Sequence, residues 1–149
     1  MKLSAVLLTC LVALGGAGCD LPKDPESTLE RVRGGELRVG IAPGNERAAA
    51  ADRLIVAGLA QELASEPVFS EEDAHNLFHE LEEGRLDLII GGVPADTPFS
   101  DKAGLTRKAG PLFRAGSSEE RVLAVKAGEN AFIIAVNRAI SRTGGGTGP

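Results

Sequence analysis

His75 and His79 stand four residues apart, the spacing at which a helix can present two metal ligands on one face. The residues between them are Asn76-Leu77-Phe78, without the glutamate of a metalloprotease helix, and no cysteine is available as a third ligand. On a helical wheel both histidines fall away from the stripe Ala74, Leu77, Phe78 and Leu81, so they are expected to be solvent-exposed helix residues and no metal is predicted. Acid–base chemistry would need convergent carboxylates or a buried histidine. Asp87 falls in a strand-like run and Asp96 in a loop, neither with a partner that sequence can place nearby, and no nucleophile motif is present. The chain is therefore not expected to be an enzyme or to carry a cofactor. A third kind of chemistry is backbone recognition. Pro43-Gly44-Asn45 and Gly91-Gly92-Val93 each follow a β-prone run, and glycine lets a ligand approach backbone donors closely, while the helix after Asn45 could receive an anion at its N-terminus. The same glycines could equally serve only turns and close packing.

The elements that must position these residues alternate. Leu37, Val39 and Ile41 form a short strand pattern that ends at Pro43-Gly44-Asn45. Residues 46–65 read as a helix, with Ile55, Val56, Leu59, Ala60 and Leu63 on an apolar stripe and Asp52, Arg53, Gln61 and Glu62 mostly off it. Pro67-Val68-Phe69 reads as a brief second strand. Ser70 with Asp73 three residues later suggests an N-cap, and the 71–83 helix is stopped by Gly84. Residues 86–93, Leu-Asp-Leu-Ile-Ile-Gly-Gly-Val, have the apolar continuity of a strand buried on both faces. Residues 94–116 are irregular, with one short strand near Leu105. Residues 121–126 form a further strand, and Asn130 could cap a helix from Ala131 to about Ser141. This pattern predicts an α/β fold, a small mainly parallel sheet with flanking helices and right-handed crossovers. In such a sheet a ligand sits beyond the carboxyl ends of the strands.

The two ends of the chain are of different composition. Met1 and Lys2 open a short basic start, residues 3–14 are almost wholly apolar, and Gly15-Gly16-Ala17-Gly18 precede Cys19. This is the pattern of a signal peptide over residues 1–18, too short to span a bilayer. It resembles a lipoprotein signal, with Gly16 where that family usually has leucine, which implies lipidation at Cys19 and a membrane anchor. Cys10 would leave with the signal, so the mature domain would hold no other thiol. Residues 19–28, with two prolines and three acids, read as anchor and linker, and residues 143–149 as a disordered tail, leaving a domain over 29–142. Loss of Lys2 leaves 15 basic against 21 acidic residues, which argues against nucleic acid as a partner.

Several segments, taken in order, resemble the family 3 solute-binding proteins, the periplasmic receptors of amino-acid-type ABC transporters. Thr28-Leu29-Glu30-Arg31-Val32-Arg33 followed by Leu37-Arg38-Val39-Gly40-Ile41 is similar to the opening of that family's first lobe. Residues 81–92 resemble its helix leading into the ligand-facing strand, and Thr97-Pro98 the Thr-Pro that follows. Leu123-Ala124-Val125-Lys126-Ala127-Gly128 and Val136-Asn137-Arg138-Ala139-Ile140 are similar to the return to the first lobe. The resemblance implies a periplasmic or cell-envelope protein built like one lobe of a periplasmic binding protein. It also implies weak binding of a small polar solute near Asn45, Gly91, Gly92 and Thr97, and an ABC permease or other envelope protein as partner. Only about 20 residues lie between Thr97 and Arg121, where a second lobe would need at least about 50. Ser100 stands where the resemblance places the arginine that grips a ligand carboxylate, and no aromatic occurs in 42–47. The other reading is a ligand-free interaction lipoprotein that docks on an envelope complex.

Overall fold

The computed structural model describes residues 24–144. The signal segment, Cys19 and the last five residues lie outside the described part. Ten elements follow one another: α1 (Thr28–Val32), β1 (Glu36–Ile41), α2 (Glu46–Leu63), β2 (Glu66–Glu71), α3 (Ala74–Glu82), β3 (Leu88–Pro94), β4 (Ala103–Leu105), β5 (Gly110–Pro111), β6 (Glu120–Lys126) and α4 (Asn130–Arg142). They build one sheet in the order β2-β1-β3-β6-β4, with β5 also paired to β6. The β2-β1-β3 part is parallel, and β6 runs antiparallel to β3, β4 and β5.

β3 and β6 are buried on both faces, and their side chains alternate between two cores. Leu88, Ile90, Leu123 and Val125 face α2 and α4, where Ile55, Leu59, Phe132 and Ile140 are excluded from solvent. Ile89, Val93, Val122 and Ala124 face α3, meeting Leu77, Phe78 and Leu81. This period-2 division of one apolar run explains why the sequence of β3 is continuous rather than alternating in polarity. Across β3 the register slips between Ile89 and Val93, so a bulge spans Ile90-Gly91-Gly92. Both glycines have φ near +100°, and a Cβ at Gly91 would stand 2.8 Å from the Ala42 carbonyl oxygen. The bulge therefore demands glycine at both positions.

The boundaries of four elements, β2, α3, α4 and α1, depart from those expected. Ser70 does not cap α3; it continues β2 opposite Gly40, and Asp73 takes the cap instead, its Oδ1 accepting from Asn76 N at 3.1 Å. Ala74, the first residue of α3, is exposed, so the buried stripe starts at Leu77. At α4 the cap position falls to Glu129, not Asn130. The Glu129 carboxylate is drawn elsewhere, accepting from Glu26 N at 2.9 Å and Thr28 N at 3.1 Å. These bonds hold residues 24–28, assigned to the linker from composition, against the domain. Asp24 Oδ2 accepts from Leu29 N at 2.8 Å, and Lys126 pairs with Glu26. Thr28 is already the first residue of α1 and is buried.

Asp87 explains how the opposite end of the sheet is held. Its side chain is buried just before β3 and accepts from Arg38 N (2.9 Å), Arg38 Nε (3.1 Å) and Arg38 Nη2 (2.7 Å), with Arg31 completing the cage. Burial alone would raise its carboxyl, but the bonds from Arg38 and Arg31 outweigh that and hold it below the ordinary carboxylate range.

Candidate functional site

Three segments converge beyond the carboxyl ends of β1 and β3. The first is Ala42-Pro43 after β1, the second the turn into α3 at Asp73, and the third the loop from Gly92 through Thr97 to Phe99. They enclose an open cavity of about 320 Å³. Phe78, buried on α3, stacks on Phe99 with ring centroids 4.5 Å apart and planes 13° from parallel. The His75 ring lies 6.4 Å from Phe99, tilted by 54°. The cavity wall is therefore mostly apolar, with Asp73 its one ionisable lining residue. This is the position at which open α/β sheets admit ligands, and a cavity of this size suits a small solute.

Of the four residues singled out for ligand contact, the structure places Gly92 and Thr97 on the cavity wall. Thr97 is buried, with its Oγ1 accepting from Phe99 N at 3.4 Å, and so shapes the loop that carries Phe99. Asn45 and Gly91 do not line it. Asn45 caps α2, accepting from Ala48 N at 3.1 Å through Oδ1, and donates from Nδ2 to the Leu112 carbonyl at 2.6 Å. The Gly91 N–H donates to Asp52 Oδ2 at 3.1 Å. Both are thus hydrogen-bonded within the fold.

Asp52 itself belongs to a buried ion pair. Asp52 is fully excluded from solvent on α2, and Arg121 is almost so at the start of β6. Arg121 Nη1 also donates to the Pro111 carbonyl at 2.8 Å. Burial pushes the Asp52 carboxyl upward, opposed by the bonds from Arg121, Gly91 and Gly92. The guanidinium groups of Arg47 and Arg121 lie 4.5 and 5.4 Å from the centroid of Phe113, whose φ is +60°. Phe113 and Arg121 border a second cavity of about 210 Å³.

The histidines are both exposed, and His79 faces Glu83 at 3.7 Å. Among the described residues no cluster of three metal-ligating side chains occurs, and no helix is long and apolar enough to cross a membrane.

The fold is that of one lobe of a substrate-binding protein. The chain is similar to the arginine-bound form of domain 1 from TmArgBP, with a TM-score of 0.63 and 18% identity over 76% of this chain and 97% of that one. It is also similar to an amino acid ABC transporter substrate-binding protein from Streptococcus pneumoniae bound to L-arginine (TM-score 0.65, 10% identity, 78% of this chain and 91% of that one). A third likeness is to the ancestral amino acid-binding protein AncCDT-1, a precursor of cyclohexadienyl dehydratase (TM-score 0.65, 12% identity, 78% and 93%). No family model matches the chain, and no curated protein matches it. At these identities the likeness is one of fold.

Proposed function

We propose that the protein is an envelope-anchored solute-binding domain, lipidated at Cys19, that acts with an ABC permease. The observation that carries this reading is the 320 Å³ cavity at the carboxyl ends of β1 and β3, on a fold shared with amino-acid substrate-binding proteins. Gly92, Val93, Thr97 and Phe99 form its loop wall and Asp73, Ala74 and Phe78 its helical wall. A single lobe contacts its solute from one side and leaves the other side wet, so affinity is low unless a partner supplies the second wall. Domain 1 from TmArgBP in its arginine-bound form supports the idea that one such lobe can hold a solute.

Thermal unfolding in the presence of a library of polar solutes tests the reading, since a ligand that binds only the folded state must stabilise it by mass action. A concentration-dependent rise in Tm for some solute class is expected. No rise for any class at tens of millimolar would contradict it.

A further inference from the structure

The charge pattern of the cavity narrows the chemical class of the solute. We propose that the cavity takes an organic amine or similar monocation with an apolar body, in preference to a carboxylate or a zwitterionic amino acid; this rests on the binding function just proposed.

No arginine or lysine lines the cavity, and its one ionisable lining residue is the carboxylate of Asp73. A ligand carboxylate could otherwise look to a helix N-terminus for compensation. Two helices begin near this end of the sheet, and both are already capped by side-chain oxygens: α2 by Asn45, and α3 by Asp73, whose Oδ1 accepts from Asn76 N at 3.1 Å and whose Oδ2 accepts from Asn76 Nδ2 at 2.6 Å, neutral donors that leave its negative charge uncompensated. Arg121, the buried cation nearest in the sheet, faces the other cavity and is engaged by Asp52 and the Pro111 carbonyl. An anion entering here would meet Asp73 with no cation to offset it.

The segments that supply the wall carry the same sign of charge. Segments 42–45, 71–75 and 92–102 carry Glu71, Glu72, Asp73, Asp96 and Asp101, with His75 and Lys102 their only basic side chains and Lys102 lying 3.9 Å from Glu82. A concave surface bordered by one sign of charge concentrates ions of the opposite sign. The apolar wall supplies the rest of the recognition. The half-buried ring of Phe99, backed by Phe78 and flanked by Val93, offers a face for a hydrocarbon or aromatic body.

The test compares three probes that share one apolar body: 2-phenylethylamine, 3-phenylpropionate and phenylalanine, titrated into the purified protein and followed by NMR. The amine is expected to bind saturably and more tightly than either other probe, with affinity falling as salt is added. Asp73→Asn should weaken the amine by roughly three- to fivefold, the scale of an exposed ion pair. Asparagine caps a helix as well as aspartate does, so the variant should keep its Tm. If 3-phenylpropionate or phenylalanine binds as tightly as the amine, or if Asp73→Asn leaves amine affinity unchanged, the charge assignment is overturned while solute binding stands. If neither these probes nor any library solute binds, the binding function fails and this inference fails with it.

Discussion

Arg121 Nε donates to Asp52 Oδ1 at 2.7 Å, tying the middle of α2 to the first turn-out of β6 with both side chains removed from solvent. The same Asp52 receives the Gly91 N–H, so the bulge that shapes the cavity wall and the helix behind it share one carboxylate. Removing one member of a buried pair strands the other charge. Asp52→Ala is expected to cost about 3–5 kcal/mol in urea unfolding, whereas Asp52→Leu combined with Arg121→Met should recover most of that loss. Equal costs for the single and double variants would show that the pair is not coupled.

Acid sensitivity should report Asp87. Its carboxyl is held below the ordinary range by Arg38 and Arg31 despite its burial, so the folded state binds fewer protons than the unfolded chain in acid. The stability it contributes is fully present above the unfolded-state value of about 3.9 and is lost as pH falls through the lower folded-state value. Unfolding of Asp87→Asn should therefore show a deficit against the parent at pH 7 that shrinks toward pH 2. A deficit independent of pH would contradict the assignment.

The two faces of α3 predict opposite responses. Phe78 is buried against β3 and under Phe99, so Phe78→Ala should cost about 3–5 kcal/mol. His75 is exposed, and His75→Ala should change stability by less than about 0.5 kcal/mol. Equilibrium denaturation of the two variants separates them; a large loss for His75→Ala would point to a role for the histidines that their exposure does not suggest.

The alternation of strand and helix was legible because apolar periodicity is a local signal, and β1, α2, β3 and β6 fall within two residues of their expected limits. Asp52 was not. Continued upward, the stripe Ile55, Val56, Leu59 reaches position 52 at helical spacing, but a carboxylate there reads as solvent-facing unless its partner is known, and Arg121 is 69 residues away. The sequence offers Asp73 only as an aid to the Ser70 cap, because nothing local to it says that β2 runs on through Glu71 and delays the helix. A crevice at the strand ends after Ile41 and around Gly91-Gly92-Val93 follows from the sheet pattern, and the cavity lies there with Pro43, Gly92 and Val93 on its wall. Its polarity was not legible, because that depends on Phe99 folding back onto Phe78.

The proposed anchor has its own test. Cys19→Ser in cells should abolish incorporation of labelled fatty acid and leave a soluble or uncleaved product. Absence of label from the parent protein would replace the lipoprotein reading with ordinary secretion.

The central claim is that this single lobe binds a solute in the cavity between α3 and the loop after β3. Backbone amide shifts recorded during a titration with 2-phenylethylamine and with amino acids test it residue by residue. The account predicts saturable shifts clustered at residues 73–78 and 92–99, with free amino acids no tighter than about millimolar, or about 4 kcal/mol of binding free energy. Shifts clustered instead around Arg121 and Phe113, or a micromolar one-to-one amino-acid complex, would contradict it.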